Sequence, residues 1–412
     1  MSVLVATRRA LLGAQGIRWL LRDEFTDTRV AGAVNGTPAT PGPGTRTATE
    51  TDGQFTIGGG VFNYPTQGTP AWGDLGLRYR DITVTRTAGR LLMWTENKTI
   101  TGAPHGSLVM IGDDSGVVWN DVVDQLGLSM QAVVAVNTVL GRTVLLDTVS
   151  IATAYQFVIV MRTTGSYYFI KGGAFTNWTL MWVSSTGATA SGIVTLANYN
   201  AVGTVDSIRI PDVLWLPQPA VFDGFSRANG PLGSSETTGP DSQGAPVRAW
   251  TANVGTWAIA GNMATCSVLA GGIGITTVDT ATVNVVMQGP ITRAGNEVGI
   301  ILRYVDADNY IRAIHDGTNM KLIKRVATAE TDVISVVVAL GAGAAAVVAD
   351  GTTFRLYLND AQVGATSTIA DAALQTGTRQ GLYSTNTGNT MDAFLVMPRG
   401  GGAYSALDRW SS

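Results

Sequence analysis

The chain has 412 residues, enough for two or three domains each with a full core, yet only 14% of them are charged, against about a quarter in typical globular domains. A net charge of −3 leaves no basic footprint for nucleic acid, and the one cysteine, Cys266, excludes an intrachain disulfide. Fifty glycines among many Thr, Ala and Val point to short strands joined by tight turns, an all-β chain rather than a helical one.

In chain order, residues 1–20 show no strand alternation. Leu11, Leu12, Ile17 and Leu20, with Trp19, read as a short helix or as an arm lying on another surface. Arg18 interrupts the apolar run and no small-residue cleavage site follows, so the leader is not read as a signal peptide. The longest apolar stretch, Val333–Ala349, carries Gly341 and Gly343 and reads as strand, turn and strand, so membrane insertion is not expected.

A first β-sandwich is expected over residues 21–212. It opens at Asp23-Glu24-Phe25 and passes through a loop, Val30–Thr49, in which Pro38, Pro41 and Pro43 forbid regular structure. Phe55 and Ile57 then alternate inward, and further strands are predicted from Leu75–Thr85 to Val205–Ile210. Residues 213–219, VLWLPQP, form a short, stiff junction. A second sandwich, 220–398, repeats the order. Asp223-Gly224-Phe225 matches Asp23-Glu24-Phe25, and Gly255–Gly261 matches Gly53–Gly59 with Trp257 for Phe55 and Ile259 for Ile57. Thr353–Leu358 is paired with Gln156–Arg162, and Met391–Val396 with Val205–Ile210. The last segment, 399–412 (RGGGAYSALDRWSS), reads as a flexible glycine tether with an apolar tip of Tyr404, Leu407 and Trp410.

The run Asp223–Gly233 (DGFSRANGPLG), the segment Gly255–Ile259 and the hairpin from Gly299–Tyr304 to Asn309–Arg312 resemble the concanavalin A-like lectin/glucanase superfamily in its laminin-G-like form, found in bacterial surface proteins and phage structural proteins. The resemblance covers the second unit and reaches the first through the repeat. It implies two tandem antiparallel jelly-roll sandwiches. The chain departs from it in a fourteen-residue insertion, Thr237–Trp250, where relatives carry a Trp soon after the Leu-Gly.

Catalytic chemistry finds little support in the residues. A retaining glycosidase needs two carboxyls about 5–5.5 Å apart, and no acidic pair at strand spacing is present; Asp279 stands alone and Glu297 has no acidic partner at i+2. Asp306 and Asp308, like Asp113 and Asp114, lack the further oxygen ligands of a calcium loop and read as solvated turns. His105 and His315 have no identifiable partners for a metal or a triad, and Ala339–Ala346 is followed by no Lys-Ser/Thr, so it is not a phosphate loop. No cofactor is expected. Of the tryptophans, Trp94 and Trp182 fall at inward strand positions, whereas Trp119 and Trp178 lie nearer loops and are the candidates to touch a glycan or a neighbouring subunit.

The expectation is a non-enzymatic structural component of a tailed-phage virion, whose partners are other virion proteins, copies of itself or a host-surface glycan. Trp19, Tyr404, Leu407 and Trp410 would be its assembly contacts. A bacterial carbohydrate-binding surface protein is the alternative, and a divergent glycoside hydrolase a third reading.

Overall fold

The computed structural model describes residues 17–49, 55–64, 76–98, 106–112, 124–128, 133–138, 142–150, 153–162, 165–184, 191–199, 202–236, 244–339 and 341–411. They are almost wholly antiparallel strand, with one four-residue α-helix, α1 (Asp408–Ser411). No described helix is long and apolar enough to cross a membrane. The chain divides into two units, one of Met1–Thr179, Val183–Leu216 and Ser405–Ser412, the other of Leu180–Trp182 and Pro217–Tyr404.

The first unit's strands are β1 (Trp19–Asp23), β2 (Thr47–Thr49), β3 (Thr56–Gly58), β4 (Val61–Tyr64), β5 (Gly76–Thr85), β6 (Leu91–Lys98), β7 (Gly106–Gly112), β8 (Asp124–Leu128), β9 (Val133–Thr138), β10 (Arg142–Thr148), β11 (Ala154–Met161), β12 (Ser166–Gly172), β13 (Phe175–Val183), β14 (Ser191–Tyr199) and β15 (Gly203–Pro211). One sheet has the order β13-β12-β11-β6-β15-β4-β3, with β1 also on β15, and the other has the order β10-β9-β8-β7-β14-β5-β2. Strand alternation turns Phe62, Tyr64, Trp94 and Phe157 inward, where Trp94 stacks on Phe157 with ring centroids 4.9 Å apart.

The second unit's strands are β16 (Val221–Asp223), β17 (Gly230–Pro231), β18 (Thr251–Val254), β19 (Thr256–Ala260), β20 (Met263–Val268), β21 (Gly274–Asp279), β22 (Val285–Thr292), β23 (Val298–Asp306), β24 (Asn309–His315), β25 (Asn319–Val326), β26 (Ala329–Val337), β27 (Ala342–Asp350), β28 (Thr353–Leu358), β29 (Ala361–Thr368), β30 (Arg379–Ser384), β31 (Thr390–Met391) and β32 (Phe394–Pro398). Its sheets run β29-β28-β27-β22-β31-β20-β19-β17, with β32 on β22 and β16 on β32, and β26-β25-β24-β23-β30-β21-β18. Apart from the edge strand β17, this is the order of the first unit, with the two short strands β31 and β32 standing where β15 runs unbroken. The topology re-pairs one segment of the repeat. Thr353–Leu358 occupies the place of β12, while β11, which contains most of Gln156–Arg162, corresponds to β27.

The openings of the two units share a local geometry. Asp23 and Asp223 are fully buried, and each accepts the backbone N–H of the Phe two residues on, at 3.1 Å for Phe25 and 2.9 Å for Phe225. Both Phe residues sit at positive φ, 51° and 50°. A buried carboxylate persists only when paired and hydrogen-bonded. Arg46 and the Tyr79 hydroxyl satisfy Asp23, and Arg227 with the Trp250 indole satisfies Asp223.

Two expectations change at the termini. Trp19 and Leu20, assigned to a leader, already belong to β1, where Trp19 pairs with Pro211 and lies half-buried beneath the Arg22 guanidinium, 5.3 Å from its ring. Residues 1–16 lie outside the described residues. The C-terminal tip is not a free apolar end, since Tyr404 and Leu407 are 1% and 0% exposed and Trp410 is half-buried against the Trp215 ring. Segment Ser405–Ser411 packs on the first unit because that unit supplies its polar partners. Lys171 Nζ and Trp178 Nε1 both donate to Asp408 Oδ1, at 2.6 and 2.9 Å, and Arg209 Nη1 donates to the Ser411 carbonyl at 2.9 Å.

Candidate cleft on the outer face of the second unit

In the sheet containing β24, the sequence Asn309–His315 is apolar on both faces. Ile311 and Ala313 join the sandwich core, while Tyr310 and Ile314, one residue out of phase, join a second cluster with Ile275, Ile301, Ile323 and Tyr383 on the opposite face. A bulge in β23 adds Tyr304 to that outer face. Simple alternation from Leu302 would turn Tyr304 into the core, but the register shifts between Ile301 and Tyr304, and Arg303 takes φ 48°. Its guanidinium turns inward over the Phe354 ring, donates to Gln375 Oε1 and the Gly351 carbonyl, and is pulled down to a pKa of about 10 by burial.

Set among these apolar side chains is Arg312, at 4% exposure. It reaches across β25 to Glu330 on β26 and donates Nη1 to Oε1 at 2.6 Å and Nη2 to Oε2 at 2.9 Å. Arg325, directly opposite Glu330 in the ladder, adds a third bond to Glu330 Oε1 at 2.9 Å. On the other side the Arg312 guanidinium lies 5.0 Å over the Tyr383 ring. Gly299 separates Tyr383 from Ile314 in the register and puts no side chain in the way; a Cβ there would lie 2.0 Å from the Ala313 carbonyl oxygen.

The pair floors an open cleft of about 750 Å³. One wall is Asn296 and Glu297; Glu297 Oε2 stands 3.9 Å from Arg312, beyond hydrogen-bond length. The other is the turn after β24, Asp316, Thr318 and Asn319. Asp316 Oδ1 accepts the backbone N–H groups of Thr318 and Asn319 at 2.9 and 2.8 Å, and Lys321 Nζ closes on Oδ2 at 3.0 Å. His315 braces this turn from beneath. Nδ1 accepts from Gly317 N at 3.0 Å, so the ring proton is on Nε2, which donates to the Val338 carbonyl at 2.6 Å.

Hydrogen bonds from Arg312 hold Glu330 down at a pKa of about 2, against burial. Burial works against the charge on Arg312 too, but the Glu330 carboxylate outweighs it and the guanidinium is held firmly protonated. Burial raises the Tyr383 phenol well above its ordinary range. Asp316 is depressed because backbone donors and Lys321 overcome the effect of its burial. Arg312, Glu330 and Asp316 therefore present fixed charges to the cleft near neutral pH, beside the amides of its walls.

No known family matches the sequence, and no curated protein does. Among solved structures, the carbohydrate binding module CBM66 from Bacillus subtilis matches with 19% identity, 36% of this chain and 92% of that one, and a TM-score of 0.28. The exoplasmic/lumenal domain of VIP36 in its Ca²⁺-bound form matches with 8% identity, 46% and 91% coverage, and a TM-score of 0.32. The GH43 protein BlXynB from Bacillus licheniformis matches with 12% identity, 86% and 83% coverage, and a TM-score of 0.27. So slight a likeness carries over neither structural detail nor activity.

Of the aromatic candidates, Trp178 lies in β13 at 2% exposure, with its indole N–H held by Asp408, so it has no open face for a sugar ring. Trp119 and His105 lie outside the described residues. Asp306 is engaged by its own turn, accepting from Asp308 N and Asn309 Nδ2, and Asp308 stands 3.6 Å from Arg325. Among the described residues no group of three His, Cys, Asp or Glu could hold a metal ion. The sequence reading missed Arg312 with Glu330. Its one visible sign was an arginine at an outer position of an otherwise apolar strand, and the partner emerges only when two hairpin registers are stacked.

Proposed function

We propose that this chain is a glycan-binding β-sandwich protein that works by adhesion rather than catalysis, with its binding site in the cleft of the second unit. The observation that carries this reading is the Arg312–Glu330 pair, fixed on rigid strands at the floor of an open cleft walled by carboxylates, amides and hydroxyls. Sugar hydroxyls are both donors and acceptors, and convergent polar groups of both kinds on a preformed surface suit them. The low pKa of Glu330 argues against its serving as a general acid, because a glycosidase acid must hold its proton near neutral pH.

The setting we propose is the surface of a tailed-phage virion. The matched topology of the two units, the low charge and the resemblance noted above support it. The test is a glycan array probed with the full chain and with Glu330→Gln. Binding by the wild type that falls at least tenfold in the variant is expected; equal binding by both would overturn the assignment of the site. Mass spectrometry of purified particles tests the setting, and absence of the chain from them would rule it out.

A further inference from the structure

Resting on that reading, we infer that the cleft selects an uncharged sugar residue and rejects acidic ones, with Glu297 as the carboxylate that takes the ligand's hydroxyls. The lining holds three carboxylates, Glu297, Asp316 and Glu330, against one guanidinium, Arg312. The cations around the mouth are already engaged. Lys321 lies between Asp316 and Asp332 at 3.0 and 3.3 Å, and Arg325 between Glu330 and Asp308 at 2.9 and 3.6 Å. Arg293, behind the wall, donates Nε to the Asn296 carbonyl at 2.7 Å and reaches the Asp316 carbonyl at 3.5 Å. A ligand carboxylate entering here meets the Glu297 carboxylate, which no cation holds within hydrogen-bond length, while Arg312 and Lys321 are already held by Glu330 and Asp316, an arrangement that disfavours it.

Recognition must also be polar rather than by stacking. Tyr383 is 3% exposed and the Arg312 guanidinium covers one ring face, so no aromatic platform is open. Glu297 keeps acceptor capacity toward the cleft. Its Oε2 lies too far from Arg312 for a hydrogen bond, and the Tyr383 hydroxyl that bonds this carboxylate takes up only part of its capacity, since an ionised carboxylate has about four acceptor sites. A ring hydroxyl of a neutral sugar can donate to the sites that remain.

The experiment is calorimetric titration of the full chain with neutral hexose oligosaccharides and with the same oligosaccharides oxidised at C6 to uronates, at low and high salt. The expected result is binding of a neutral oligosaccharide and at least tenfold weaker binding of its uronate. That gap should narrow at high salt as the repulsion is screened. Glu297→Gln, whose side chain is partly exposed, should retain the wild-type melting temperature, bind the neutral ligand at least fivefold more weakly and discriminate less against the uronate. Uronates binding as tightly as neutral sugars would overturn the charge selection while leaving glycan binding intact. An unchanged Glu297→Gln would overturn the role of that residue, and no binding by any oligosaccharide would overturn both this inference and the function it rests on.

Discussion

Arg312 and Glu330 meet diagonally across one intervening strand, joined by two parallel hydrogen bonds of 2.6 and 2.9 Å. Arginine alone can make this fork; a lysine offers a point charge and cannot engage both oxygens in the plane. Arg312→Lys is therefore expected to lower stability by about 1–2 kcal/mol, and Arg312→Ala, which leaves Glu330 without its main partner, by about 2–4 kcal/mol. Urea unfolding of the full chain measures both, and glycan affinity should fall in the same order.

The same pair sets an acid limit. Glu330 has a pKa of about 2 in the folded chain, below its ordinary 4.5. Its contribution to stability is fully present above pH 4.5 and is lost as the pH falls from 4.5 through 2. Asp316 and Asp27 are depressed as well and add to the loss at the acid end. Unfolding midpoints should be level from pH 7 to 5 and fall below pH 4.5, with a shallower fall in Glu330→Gln. A variant as acid-sensitive as the wild type would place the effect elsewhere.

Much of the fold was legible in the sequence because the side-chain period of a half-buried strand is visible in residues such as Phe55 with Ile57 and Trp257 with Ile259. The Asp-x-Phe repeat was visible for the same local reason, a buried carboxylate that turns back on its own backbone. Three things were not. The bulge at Arg303 reverses the alternation with no glycine or proline to announce it, so Tyr304 reads as core and Arg303 as surface, opposite to where they lie. The C-terminal segment reads as a loose tail because its partners Lys171, Trp178 and Arg209 are some two hundred residues away. The cleft depends on the stacking of β24, β25 and β26, and a one-residue change of register would turn Glu330 to the other face.

Gly317 holds the turn that forms one wall of the cleft. Its φ is +108°, and an added Cβ would lie 2.4 Å from Arg293 Nη2. Gly317→Ala is expected to cost about 1–2 kcal/mol. Because it displaces Asp316 and Thr318, it should also weaken glycan binding more than its modest loss of stability would suggest. A variant with lowered melting temperature but unchanged affinity would remove this turn from the site.

The C-terminal segment should behave as part of the first unit. Leu407 is fully buried, so Leu407→Ala is expected to destabilise by about 2–4 kcal/mol. Trp178→Phe, which deletes the indole donor to Asp408, should cost about 1 kcal/mol. Calorimetric melting of both variants checks this. Light scattering of the full chain against residues 21–398 then separates stability from assembly. If the segment also joins subunits, trimming abolishes the oligomer, and if it serves the first unit alone, trimming lowers the melting temperature and leaves the mass per particle unchanged.

The most direct test of the central claim is hydrogen–deuterium exchange of the full chain with and without a saturating neutral oligosaccharide. Binding in the cleft should slow exchange in peptides covering 295–299, 312–319 and 328–332 and leave the first unit unchanged. Protection confined to the first unit, with those three peptides unaffected, would contradict the account.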